Sequence, residues 1–243
     1  MLSPQAATRL AQAAARQTTY TPNQSVALAL KEKSLVMLVG PAAVGKSYLM
    51  NKILDHDIDF GRVSVFTTRD ARSDDEPGMF RYIPHDDEHI NQLLSKIDAG
   101  EVVQYAVHPT SGRMYGSETT DYTKSFNMLA TLSGIVDSLR QLPFETTRVI
   151  GVAVDPDVWL QRFNSRPMTP DERTKRLSEA LVSLRWLLDS AHTQEIVWID
   201  NTSSNESAAV QSVIDAVKFN KRGDLATQRI AHTMLERLEK EIP

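Results

Sequence analysis

The feature that most constrains this chain is a loop, Gly40-Pro41-Ala42-Ala43-Val44-Gly45-Lys46-Ser47, set between an apolar run and a helical pattern. The run before it, Leu35-Val36-Met37-Leu38-Val39, has no polar alternation and reads as a strand covered on both faces of a parallel sheet. After it, Leu49, Met50, Ile53 and Leu54 recur at helical spacing. Strand, G-x-x-x-x-G-K-[ST] loop and helix in that order make a phosphate cradle. The glycines let the backbone wrap so that its N–H groups point inward, and the helix adds its positive end. Lys46 is placed to neutralise phosphate charge and Ser47 to ligate Mg²⁺. The expected ATP-binding set runs Gly40, Pro41, Ala42, Ala43, Val44, Gly45, Lys46, Ser47 and Tyr48.

The remaining pattern alternates strands with helices, which predicts an α/β fold with a parallel core sheet. Strands are expected at 63–66, 102–107, 113–115, 128–132, 148–154 and 195–199. Helices are expected at 86–99, 135–139 and 156–164, from Thr169 toward Ser190, and twice more near the C-terminus. Two capping boxes mark helix starts, Thr169-Pro170-Asp171-Glu172 and Thr21-Pro22-Asn23-Gln24. Residues 1–33 read as a helical extension with Leu2, Ala6, Leu10 and Ala14 on one face. The Arg-bearing, acid-poor first residues also fit a transit peptide, but the helical spacing favours a surface helix.

Composition narrows the function classes. A net charge of −4 gives no bulk attraction to nucleic acid or anionic lipid. The absence of cysteine excludes disulfides and thiolate metal sites and fits a reducing cytoplasm. No stretch reaches the roughly 20 apolar residues that span a bilayer. His85-Asp86-Asp87-Glu88-His89 matches the zinc pattern H-x-x-E-H, yet the same acidic residues suit a helix N-terminus. Trp159, Trp186 and Trp198 fall in helix or strand patterns and are expected in the core.

Three further motifs follow the loop in order. Thr67-Thr68-Arg69-Asp70-Ala71-Arg72 is followed by a Glu76-Pro77-Gly78 turn, then by Met114-Tyr115-Gly116-Ser117. Arg162-Phe163-Asn164-Ser165-Arg166 and Lys175-Arg176-Leu177 come later. Guanidinium forks at Arg69 and Arg72 suit bidentate capture of a phosphate, and Tyr115 adds a hydroxyl. Arg162 and Arg166, four apart, share a helical face.

Together these motifs resemble the guanylate kinase family over about 34–217, as a divergent member. The resemblance implies a three-layer P-loop kinase fold. It has an inserted acceptor-binding lobe at about 62–122, a small lid at about 162–172 and helical N- and C-terminal extensions, the latter at about 221–243. It implies ATP-dependent transfer of the γ-phosphate to a nucleoside monophosphate, GMP or dGMP first and a modified relative next, with Mg²⁺. Lys46, Arg162, Arg166 and Arg176 would act on the transferring group. The acceptor would meet Arg69, Arg72, Phe80, Tyr82, Gln104, Tyr115 and Ser117, with Ser117 at the base. The only partners implied are small nucleotides, and the chain itself is a monomer or homodimer.

The chain departs from the family twice. Gln104 stands where the family has a guanine-reading Glu, and an amide offers a donor where a carboxylate only accepts. In Leu129-Ala130-Thr131-Leu132-Ser133-Gly134 both aspartates of the family's D-x-D-x-Q-G are gone, with Asp121 or Asp155 as substitutes. These losses keep two alternatives in view: a related kinase with another phosphorylated acceptor, and a guanylate-kinase-like module that binds without transfer.

Overall fold

A computed structural model describes all residues except 1, 73–74, 76, 109–110, 190, 193–194, 203–205, 224 and 242–243. Two compact units emerge. The first comprises Met1–Ser34, Gly61–Asn127 and Ser138–Thr146, and the second Leu35–Phe60, Met128–Asp137 and Thr147–Pro243.

The second unit holds most of a five-stranded sheet of β1 (Ser34–Val39), β2 (Phe60–Arg62), β7 (Phe126–Ala130), β8 (Thr146–Ala153) and β9 (Ile196–Asp200), in the order β2-β7-β1-β8-β9. Every residue of β1 is buried, as its unbroken apolar run requires. β8 and β9 pair in parallel, Val149 opposite Ile196 through Ala153 opposite Asp200. Around the sheet lie α3 (Lys46–His56), α6 (Pro156–Asn164), α7 (Pro170–Leu188), α8 (Glu206–Lys218) and α9 (Leu225–Glu241). Helix α7 starts as expected: Thr169 accepts from the Glu172 backbone while the Glu172 carboxylate accepts from Thr169. Its last-turn Trp186 is only half buried and stacks on His192 at 4.3 Å, whereas Trp159 and Trp198 are core residues.

The first unit holds a four-stranded sheet in the order β4-β3-β6-β5, from β3 (Val65–Thr67), β4 (Phe80–Tyr82), β5 (Val102–Val107) and β6 (Met114–Glu118). Strand β4, at three residues, is too short to read from pattern, and pairing with β3 defines it. On one face, Phe66, Tyr105, Val107 and Met114 form a core with α4 (Asp87–Asp98) and α1 (Pro4–Arg16), into which Leu10 and Ala13 pack. Helix α2 (Gln24–Leu30) starts two residues later than the capping box predicts. Asn23 is the N-cap because its own N–H is held by the Gly100 carbonyl at 2.8 Å, which keeps it extended. Helix α5 (Val136–Arg140) completes the described set. Among the described residues no helix is long and apolar enough to cross a membrane.

Candidate active site

The loop between β1 and α3 turns through two left-handed residues, Ala43 (φ 69°) and Gly45 (φ 85°). A non-glycine residue held in that region stores strain and marks a backbone that its surroundings dictate. Two anchors hold it. The buried Trp159 indole on α6 donates to the Ala42 carbonyl at 2.9 Å. Asn201, just past β9, donates through Nδ2 to the Val44 carbonyl at 2.8 Å, and its own N–H continues the ladder to the Ala153 carbonyl at 2.8 Å. A Cβ at Gly45 would meet Asn201 Nδ2 at 2.5 Å, so glycine is required by both φ and contact. Asn201 is not among the residues the sequence singles out, because a lone Asn after a strand looks like any turn residue. Its replacement by Ala should cost about 1–3 kcal/mol, the cost of an orphaned buried acceptor, measured by chemical denaturation.

Lys46, first residue of α3, lies inside this loop and donates to the Gly40 carbonyl at 2.6 Å and the Pro41 carbonyl at 2.9 Å. Burial lowers its pKa to about 8, Glu179 acting to raise it and Arg166 to lower it further. Beside the loop opens a cavity of about 440 Å³ lined by Ala43, Gly45, Tyr48, Arg162, Arg166 and Asn201, with Ser165.

The two arginines reach this cavity by a route other than the expected helical face. α6 ends at Asn164, so Arg162 lies on the helix and Arg166 beyond its cap. Arg162 Nη1 also donates to the Asn201 carbonyl at 3.3 Å. Arg176 sits within α7 and is not among the cavity-lining residues. The expected lid segment consists of the end of α6, a short connection and the first turn of α7.

In the first unit, alternation along the strands sorts the acceptor candidates. Tyr115 pairs with Thr67 and Ala106, Gln104 with Ser117, Val65 with Phe80, and Thr67 with Tyr82. A register shift between Val102 and Gln104 brings Gln104 into phase. Phe80, Tyr82, Gln104, Tyr115 and Ser117 therefore share the sheet face opposite the helices. Gly116 between them has no room for a Cβ, which would strike the Phe66 ring.

Arg69 follows β3, and its guanidinium stacks on Phe80 at 4.6 Å. The neighbouring Arg72 is exposed, and its backbone N–H bonds Asp75 at 2.7 Å. Ser117 departs from its expected role. It is fully buried, and its hydroxyl is within 2.9 Å of the Tyr122 hydroxyl, so it has no open surface to offer a base. Glu76, in the expected turn, and Pro109, in the expected β5–β6 turn, lie outside the described residues.

The two histidines of the zinc pattern have different partners. His85 Nδ1 contacts the Thr68 hydroxyl at 3.1 Å, while His89 Nδ1 contacts Asp86, the N-cap of α4, at 2.8 Å. Among the described residues no group of three or more His, Asp or Glu could hold a metal ion. Neither substitute aspartate is free of structural duties. Asp121 is buried against Arg81 and the Glu118 N–H, and burial raises its pKa. Asp155 caps α6 by accepting from Asp157 and Val158. Thr131, in place of the second family aspartate, donates its backbone N–H to the Leu38 carbonyl at 3.1 Å.

These features define an α/β fold, with a parallel sheet whose first strand runs into a tight glycine loop around a lysine. Among solved structures, a guanylate kinase from Anaplasma phagocytophilum is similar at 14% identity and a TM-score of 0.44, covering 79% of this chain and 86% of that chain. No protein-family model and no curated protein matches the sequence.

Proposed function

We propose that this protein is an ATP-dependent phosphotransferase whose acceptor is a nucleoside monophosphate, GMP or dGMP first and a modified relative next. The observation that carries this reading is Lys46, its ammonium held on the Gly40 and Pro41 carbonyls of a doubly anchored glycine loop, with an arginine-lined cavity beside that loop. The donor set fits a nucleotide polyphosphate. A lysine ammonium has three donors, two of which rest on loop carbonyls. Arg162 and Arg166 supply further cationic groups on the cavity beside the loop. Mg²⁺ takes mostly phosphate and water oxygens, which suits a site where Ser47 is the expected protein ligand. Bound there, Mg-ATP would supply the γ-phosphoryl group. The chain's own task is then to hold the phosphates and to neutralise charge spreading over the transferring oxygens. On the acceptor side Arg69, Arg72, Tyr82 and Tyr115 are the phosphate-directed groups, and Gln104 is the base-directed one.

A second reading, a kinase for another phosphorylated acceptor, is favoured by one observation. The Ser117 hydroxyl is committed to Tyr122, which leaves Gln104 as the base-directed side chain among those expected.

A coupled ADP-release assay with Mg-ATP against a panel of nucleoside and deoxynucleoside monophosphates and sugar phosphates tests both. Turnover confined to one monophosphate supports the first reading and names the base. Turnover on sugar phosphates alone supports the second, and a flat panel with ATP still bound overturns both in favour of a binding module.

The Lys46 pKa gives a pH signature. With the ammonium titrating near 8, the free protein loses this cation as pH rises through 8. ATP affinity should therefore fall above about pH 8, by up to about tenfold per pH unit until the pKa in the complex is passed. Stability runs the other way. Between about 8 and the ordinary 10.5 the unfolded chain holds more protons, so Lys46 makes stability rise with pH there. Calorimetric ATP titration and denaturant melts from pH 6.5 to 9.5 separate the two trends; a flat affinity profile contradicts the assignment of Lys46 to the phosphates.

A further inference from the structure

The arginine expected to seize an acceptor phosphate already grips an anion of the protein's own. Arg69 Nη1 donates to Asp75 Oδ2 at 2.8 Å and Nη2 to Asp75 Oδ1 at 2.5 Å, a two-toothed fork. The Tyr82 hydroxyl donates to Oδ2 at 2.5 Å and the Arg72 N–H to the same oxygen at 2.7 Å. Among the described residues, four donors thus converge on one carboxylate. The pair is largely shielded from water, with side chains 10% and 13% exposed, and Phe80 under the guanidinium fixes the plane of the fork. The carboxylate stays ionised. Arg69 holds the Asp75 carboxyl far below the usual range, and the Tyr82 hydroxyl and Arg72 N–H act in the same direction.

A second anion that needs the end-on fork of Arg69 and the Tyr82 hydroxyl must evict this carboxylate. A carboxylate carries one charge, whereas a phosphate monoester carries about −1.5 to −2 near pH 7 and offers three terminal oxygens. A phosphodiester is a monoanion with two free oxygens, no better charged than the carboxylate it would displace.

We propose that Asp75 is an internal competitor for the acceptor's phosphate subsite, and that it sets specificity for a terminal phosphate monoester over diesters and carboxylates. This rests on the acceptor reading of Arg69 but requires no turnover. Asp75 is then a specificity-determining residue: removing its charge should tighten anion binding and loosen selectivity together.

The test uses the full chain, its probes being methyl phosphate (a dianion at pH 7.5) and dimethyl phosphate (a monoanion). Binding is followed through the arginine side-chain N–H resonances in wild type, Asp75→Asn and Arg69→Ala. Wild type should bind methyl phosphate and not dimethyl phosphate. Asp75→Asn should bind methyl phosphate about tenfold more tightly and acquire binding of dimethyl phosphate, and Arg69→Ala should bind neither. If Asp75→Asn does not fold, Asp75→Ala removes the same charge. Equal or weaker binding by the charge-removed variant, or none by either protein, overturns the proposal and makes Asp75 a residue that merely orients Arg69. A flat ADP-release panel beside tightened methyl phosphate binding would overturn the kinase reading alone.

Discussion

Replacing Lys46 with Met is expected to lower kcat/KM for phosphoryl transfer by about 10²–10³, the usual cost of removing one preorganised charge from a developing anion. The same change should leave the unfolding midpoint equal to that of wild type or above it. The reason is the sign of the lysine's shift. Burial drives its pKa down to about 8, so the folded protein holds the ammonium at a cost at pH 7. Met keeps the aliphatic stem and removes the charge. A lysine serving only the fold would show the reverse pattern, lower stability with activity retained. Single-turnover transfer and denaturant melts on the same preparation distinguish the two, and a stable variant with wild-type turnover would remove Lys46 from the reaction.

Deleting residues 1–33 should unfold the first unit. This segment closes the free edge of β5. Gln17 Oε1 accepts from the Val107 N–H at 2.7 Å, the Tyr20 hydroxyl donates to the Val102 carbonyl at 2.7 Å, and the Tyr105 hydroxyl donates to the Ala13 carbonyl at 2.9 Å. Arg9 and Arg16 both pair with Asp98 at the end of α4. Burial pushes the Tyr20 hydroxyl's pKa up to about 12, in keeping with a packed role.

The larger loss is apolar. Leu10, Val26 and Leu30 are 7%, 6% and 1% exposed. At about 1.5–3 kcal/mol for each buried aliphatic side chain, their loss rivals the ~5–15 kcal/mol that hold a whole domain folded. The bared edge would also pair with other chains. Hydrogen exchange should show β5 and α4 amides losing protection, with aggregation at working concentrations. Leu10→Ala is the graded companion, expected to cost about 2–5 kcal/mol. A truncated chain with wild-type protection in β5 would make the extension an appendage rather than part of the fold.

The legible part of the fold is the part governed by local chemistry. The apolar run Leu35–Val39, the loop after it and the capped start of α7 each depend on a few adjacent residues, and each lies where expected. The Pro156–Asn164 helix matches at both ends because Pro156 opens it at N1 beneath the Asp155 cap. Boundaries set by distant partners are less legible. Asn23 caps α2 through the hold of the Gly100 carbonyl, and β4 is defined by its pairing with β3. For the site, residue types are legible and their engagements are not. Nothing near Ser117 in the chain announces that Tyr122 takes its hydroxyl, and nothing local marks Asn201 as the anchor of a loop more than a hundred residues earlier.

The sequence by itself determined the α/β alternation, the lysine-bearing glycine loop and the set of arginines and aromatics that could meet phosphates. Spacing and residue type are enough for these, since they follow from backbone geometry and charge. Only the tertiary structure decided which of those groups face a cavity, which are buried and which are already paired. That Arg69 is held by Asp75 while Arg162 and Arg166 line open space depends on where separate segments converge, and short-range sequence pattern carries no record of that.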